Sequence, residues 1–247
     1  MAVAPGRVPW VLCQARIQVW RPLPGVAWRR VVRAKRCGLT HQISSRIGSD
    51  TVHVWVVPLD DPVKRRRHEL AHAAQDQILA GYLEIPPEAV RYDTLPGGKP
   101  ILHDGALEFN LSHSGELALL AVSRDLQVGV DLEHPRTFKN EAGMARRICG
   151  ARELRHLAAA PDPDELLRLW VRKEAVVKAS GEGLVRDVSE LDVLDRTVAG
   201  GWLCLDLPYI ADAGVNADGY RAAVALTDRP QVSVALRRFS SAADLRR

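Results

Sequence analysis

Val128-Gly129-Val130-Asp131-Leu132-Glu133 is the stretch that most limits how this chain can fold. Apolar residues alternate with others through it, which predicts a half-buried strand. Val128, Val130 and Leu132 then face a core, while Gly129, Asp131 and Glu133 share the opposite face. The two carboxylates lie about 7 Å apart at their Cα atoms. Such a pair repels itself unless a cation sits between, and hard oxygen donors in small number suit Mg2+. Taken alone, the same spacing also fits a strand end with two solvated acids.

A second segment narrows the choice. Asp164-Glu165-Leu166-Leu167-Arg168-Leu169-Trp170 opens a helix, with Pro163 before it and acids in the first turn. Gly181 and Gly183 close it, so a helix is expected over 164–180. Trp170, Glu174 and Lys178 recur every fourth residue and form one stripe. A Glu-Lys pair at this spacing is commonly a surface ion pair worth about 0.2–0.5 kcal/mol. A stripe that begins on a bulky Trp and runs into Gly-Glu-Gly fits a shaped site better. Asp131, Glu133 and Glu174 supply three carboxylates, and Lys178 supplies a cation one turn from Glu174. That is the equipment for displacement on a diphosphate. A metal neutralises charge, a lysine holds phosphate, and a carboxylate takes the proton of the attacking hydroxyl.

Two further segments lie upstream. Leu95-Pro96-Gly97-Gly98-Lys99-Pro100-Ile101-Leu102 reads as a Gly-rich turn that exposes backbone N–H groups beside the charge of Lys99. Phe109-Asn110-Leu111-Ser112-His113-Ser114-Gly115 precedes an apolar strand from Leu117 to Val122. The basic run Lys64-Arg65-Arg66-Arg67-His68 opens another helix; a solvated face is the default reading of such a run.

In this order the segments resemble the 4'-phosphopantetheinyl transferases, of the longer type that activates surfactin synthetase. The resemblance runs from about residue 52 to about residue 191. It implies transfer of the phosphopantetheine arm of coenzyme A to a serine of an apo acyl or peptidyl carrier protein, releasing 3',5'-ADP. By that resemblance Asp131, Glu133 and Glu174 hold Mg2+, Glu174 is also the base, and Lys178 sits on the phosphates. Arg67, Gly98, Lys99, Pro100, Ser112, His113, Asp131, Lys173 and Lys178 contact the coenzyme. It further implies two similar subdomains in one chain, a pseudodimer with the coenzyme between them, and therefore a monomer. Two departures stand out. Gln75, Asp76 and Gln77 occupy a neighbourhood where members carry another Arg. Arg147-Ile148-Cys149-Gly150 replaces an R-F-F-S segment linked to carrier docking. Arg146, Arg147, Ile148 and Arg152 are the candidates for a docking face.

Composition sets the frame. The chain has 247 residues, 47% of them hydrophobic, enough for one large or two small cores. No run of eighteen apolar residues occurs, so no membrane span is expected. Cys13, Cys37, Cys149 and Cys204 lack metal-site spacing and read as reduced thiols of a cytoplasmic protein. Net charge is +4, yet residues 1–49 hold nine Lys or Arg and no acid. The remainder carries 25 basic and 30 acidic residues, which gives no reason to expect a nucleic-acid partner. Residues 1–48 are expected to be a basic, disordered extension.

Beyond it, periodicity predicts strands near 51–57, 90–94, 107–111, 117–123, 128–133, 190–195, 202–206, 220–226 and 231–239. Helices are expected near 61–83, 140–148, 151–159 and 164–180. The class is α+β, divided as 49–127 and 128–240 with a tail over 241–247. Two other readings of the acidic residues stay open: a Mg2+-dependent nucleotide pyrophosphohydrolase, and a coenzyme A-binding protein without catalysis.

Overall fold

The computed structural model describes residues 47–239 apart from 135, 137, 160, 161, 184–186 and 209, together with the backbone of Ile17–Leu23 and Val26–Arg33. It is a mixed α+β fold. The strands are β1 (Ile17–Leu23), β2 (Val26–Arg33), β3 (Thr51–Pro58), β4 (Tyr92–Thr94), β5 (Pro100–Leu102), β6 (Glu108–Ser114), β7 (Leu117–Ser123), β8 (Val128–Glu133), β9 (Thr197–Val198), β10 (Trp202–Asp206), β11 (Arg221–Thr227) and β12 (Ser233–Arg238). The helices are α1 (Lys64–Leu83), α2 (Glu141–Ile148), α3 (Ala151–Ala159) and α4 (Glu165–Ser180).

One sheet has the order β2-β1-β12-β3-β7-β6 and a second β8-β11-β10-β9, with β4 and β5 forming a small hairpin. Alternation builds the layers. Trp55, Val57, Phe109, Leu120 and Val122 turn one way from the first sheet and pack against Ala71, Ala74, Ile78 and Leu79 of α1. Val52, Val54, Val56, Leu119 and Ala121 turn the other way and meet Val128, Val130, Leu132, Val224 and Leu226 of the second sheet. The far face of that sheet, with Ala223, Ala225 and Cys204, carries Leu169, Ala175 and Val176 of α4. The layers therefore run α1, first sheet, second sheet, α4. Burying these side chains contributes about 1.5–3 kcal/mol for each large aliphatic one.

A similar strand order occurs in both sheets. β3 is followed by α1 and then by β6 and β7, which order as β3-β7-β6. β8 is followed by α4 and then by β10 and β11, which order as β8-β11-β10.

One expected strand is absent, and two pairings bear on the expected division of the chain. Residues 190–195 form no strand, although Leu191 and Val193 alternate inward as a strand would. Side chains satisfy this backbone instead. Glu153 Oε1 accepts from Val193 N at 3.0 Å, and Arg172 Nε donates to Val193 O at 2.7 Å. Second, β12 pairs in parallel with β3, so the chain returns to the first sheet and a cut at 127/128 does not separate the sheets. Third, within the segment expected to be disordered, β1 and β2 pair antiparallel, and β1 continues the sheet beside β12 through Val19 and Ala235. The remaining residues of 1–46 and the tail 241–247 lie outside the described residues.

Candidate active site between the two sheets

Gly129 is what brings α4 onto β8. A Cβ built there would fall 2.2 Å from Ala175 O and 2.3 Å from Ala179 N. The helix backbone thus rests directly on the strand, and the Glu174–Lys178 stripe lands beside Asp131 and Glu133. Lys178 Nζ lies 2.6 Å from Asp131 Oδ1 and donates to Ser112 Oγ at 3.1 Å. Burial pushes the Glu174 carboxyl above its usual range, and the Asp131 charge raises it further; Lys178 opposes the shift and Glu133 adds to it. All three acids are therefore close enough to feel one another.

Asp131 is buried, and its Oδ2 has no hydrogen-bond partner. Leaving such an oxygen unpaired costs about 1–3 kcal/mol or more when charged. It belongs to a face of hard oxygen donors with Glu133 and Glu174, and that donor set fits Mg2+. Among the described residues no three His, Cys, Asp or Glu side chains form a preformed metal cluster. In this conformation Lys178 stands on the other Asp131 oxygen.

β6 joins the two sheets through side chains. Among the described residues no strand is hydrogen-bonded through its backbone to the outer edge of β8. Asn110 Oδ1 accepts from Val130 N at 2.8 Å, Ser112 Oγ from Leu132 N at 3.3 Å, and Ser114 Oγ from His134 N at 3.0 Å. These side chains stand in for a missing strand and protect an edge. Ser112 Oγ also donates to Asp131 Oδ1 at 2.9 Å, and Ser114 Oγ to Glu133 Oε2 at 3.2 Å. Glu133 Oε1 accepts from Arg136 at 2.8 Å.

His113 points the opposite way, toward α1. Its Nε2 is 3.0 Å from His68 Nδ1, and the His68 ring stacks edgewise on His72 at 4.5 Å between centroids. Burial and the neighbouring His68 charge hold His113 below the usual histidine range; the same two causes lower His72. Arg67, one residue before His68, reaches Gly115 O at 3.1 Å and Glu116 Oε1 at 3.2 Å, so it clasps the β6–β7 turn.

Other expected contacts fall elsewhere. Lys99 is buried; its Nζ donates to Val128 O and Ala179 O, both at 3.1 Å, and lies 3.7 Å from Glu108. It therefore fastens α4 to β8 rather than offering charge to solvent. Gly98 and Pro100 are exposed in the turn, where Gly98 has φ +86°. Lys173 is wholly buried, 2.8 Å from Glu153 Oε2, and donates to Val188 O and Leu191 O. It lies off the 170–174–178 stripe and braces the 188–195 segment, so a coenzyme contact at Lys173 does not agree with the fold. Gln75 is buried and Asp76 binds the Tyr92 hydroxyl, so that stretch serves the core. Of the docking candidates, Ile148 is buried and Arg152 pairs with Asp192 and Asp195; Arg146 and Arg147 remain exposed.

The roles of Asn110 and Ser114 were missed in the sequence. The signal was present: alternation puts 110, 112 and 114 on one face of a strand and 113 on the other. A cavity of about 330 Å³ lies apart from these groups, lined by Arg168, Arg172, Asp206, Val234 and Leu236 among others. Two of its arginines are matched by carboxylates. Arg168 binds Glu165 and Asp206, and Arg172 binds Asp206.

Comparison with known proteins identifies the family. Residues 127–225 match the model of the 4'-phosphopantetheinyl transferase superfamily. The 4'-phosphopantetheinyl transferase HetI of Nostoc sp. is 34% identical over 177 residues, covering 59% of this chain and 74% of the relative. Sfp of Bacillus subtilis, also a 4'-phosphopantetheinyl transferase, is 28% identical over 158 residues, covering 60% and 67%. The transferase psf-1 of Bacillus pumilus is 29% identical over 150 residues, covering 59% and 62%. The chain belongs to the 4'-phosphopantetheinyl transferase superfamily.

Proposed function

We propose that this enzyme transfers the 4'-phosphopantetheine group of coenzyme A to a serine of an apo acyl or peptidyl carrier protein, with Mg2+ as cofactor. The observation that carries the reading is the unpartnered, buried Asp131 Oδ2 on a face shared with Glu133 and Glu174. A divalent cation bound by these three residues would neutralise charge developing on the diphosphate. Lys178 is placed to move from Asp131 to a phosphate oxygen. Glu174, whose carboxyl is held above its usual range, is suited to take the proton of the carrier serine. The serine oxygen forms a bond to the adjacent phosphorus, the phosphorus–oxygen bond to 3',5'-ADP breaks, and the serine proton passes to Glu174. His113, with His68 beside it and Arg67 nearby, suits the phosphate on the ribose. The repeated order β3-β7-β6 and β8-β11-β10, each with a long helix, supports two similar subdomains with the coenzyme between them and a monomeric enzyme.

The test is mass spectrometry of an apo carrier protein incubated with coenzyme A, Mg2+ and this protein. Transfer adds one phosphopantetheine to the carrier. Coenzyme A consumed with the carrier unchanged would indicate a pyrophosphohydrolase, and no reaction would indicate a binder. For carrier docking, reversal of charge at Arg146 and Arg147 should raise KM for the carrier and leave KM for coenzyme A alone.

A further inference from the structure

Ser112 and Ser114 occupy equivalent positions, two residues apart on β6 and facing β8. Each hydroxyl accepts a backbone N–H from β8 or the residue just after it and donates to the carboxylate immediately before that N–H. Ser112 takes Leu132 N and gives to Asp131; Ser114 takes His134 N and gives to Glu133. A hydroxyl has one proton, so its direction is fixed by what it must accept. Ser112 accepts from both Leu132 N and Lys178 Nζ, and its proton is left for Asp131 Oδ1. That bond restrains the Asp131 carboxylate, whose Oδ2 is left buried and unpaired. Ser112 is buried itself, so it presents little surface to a ligand. His113, between the two serines, leaves β8 and joins the His68–His72 rings.

We propose that Ser112 and Ser114 are positioning residues for the two strand carboxylates, each orienting one acid for the cation. The inference rests on the proposed metal-dependent transfer. It splits Asn110–Ser114 by parity: Asn110, Ser112 and Ser114 bond the β8 side, and His113 turns to His68 of α1. Groups that orient metal ligands change metal affinity by about 10–100-fold when removed.

Ser112→Ala and Ser114→Ala should each raise the Mg2+ concentration for half-maximal transfer by about 10–100-fold. KM for coenzyme A at saturating Mg2+ should stay unchanged. Mn2+ binding followed by electron paramagnetic resonance should weaken in parallel. The affinity for 3',5'-ADP, which lacks the diphosphate, should be unchanged by calorimetry in EDTA, whereas His113→Ala should weaken it. Should Ser112→Ala fail to fold, the less buried Ser114→Ala carries the test through Glu133. Weaker 3',5'-ADP binding with unaltered Mg2+ and Mn2+ dependence would overturn the proposal and make the serines ligand contacts. If the wild-type enzyme transfers nothing at any Mg2+ concentration, the functional reading fails while the Mn2+ titration still decides the positioning role.

Discussion

Lys178 Nζ lies 2.6 Å from Asp131 Oδ1, while Asp131 Oδ2 is buried without a partner. One carboxylate is thus half neutralised by the protein and half left open. Lys178 relieves repulsion among the three acids in the absence of a cation, and a bound cation would have to share Asp131 with it.

Asp131→Asn keeps the shape and removes the charge. The protein should fold, and transfer should fall by about two to three orders of magnitude. Asp131→Ala should in addition lose about 1–3 kcal/mol, because Lys178 and Ser112 lose their partner. This differs from what three mutually repelling acids alone would suggest, since their removal would then be neutral or stabilising. Denaturant midpoints beside carrier modification check both statements. Near-native transfer by Asp131→Asn would remove Asp131 from the metal site.

Glu174 makes stability depend on pH with a definite sign. Its carboxyl titrates higher in the folded protein than its ordinary value of 4.5. The folded state therefore binds more protons than the unfolded state above that pH, and stability falls as pH rises through the window up to the raised value. In EDTA, wild type should lose stability relative to Glu174→Gln as pH climbs from about 4.5. Saturating Mg2+ should reduce the difference. Parallel curves for the two proteins in EDTA would show that the Glu174 carboxyl is not raised in the folded protein.

Gly129→Ala should destabilise the protein by about 1–3 kcal/mol or more and impair transfer as well. Its Cβ would meet the α4 backbone, and lifting that helix moves Glu174 and Lys178 from β8. Gly98→Ala is the contrasting case. Nothing lies within 4 Å, but φ is +86°, so the loss should be about 1 kcal/mol with the helix undisturbed. Equal losses at the two glycines by chemical denaturation would contradict the close approach at Gly129.

Lys173→Ala should be among the more damaging single changes, at about 3–5 kcal/mol, because it leaves the buried Glu153 carboxylate without its cation. Where the variant still folds, KM for coenzyme A should match wild type. A raised KM with wild-type thermal stability would return Lys173 to the coenzyme site.

Lys173 and Lys178 also mark what was legible beforehand. The stripe Trp170–Glu174–Lys178 follows from helical geometry, and Lys178 is where that geometry puts it. Lys173 is adjacent in sequence but points to another side of α4, and residue type alone does not separate the two. β8 and α4 carry clean periods and emerge with bounds within a residue of those expected. The 190–195 segment has a strand's alternation, yet its backbone partners are side chains of Glu153, Arg172 and Lys173 from distant sequence. No local pattern encodes such partners. The hairpin β1–β2 was hidden because its basic charge outweighed its short alternating runs. The parallel pairing of β12 with β3 was hidden because periodicity identifies strands and not their neighbours.

That last pairing bears on how the chain is made. Val52 meets Val234 and Val56 meets Arg238, partners separated by most of the described sequence. During synthesis β3, α1, β6 and β7 emerge well before β12, so β3 waits with one row of amide and carbonyl groups open. Contacts of such long sequence separation form late and slowly. The nascent first sheet therefore keeps that strand edge exposed until β12 is made. Expression should benefit from slower translation or a chaperone at that stage, and a fragment ending before β12 should aggregate even though it contains every acidic residue of the site.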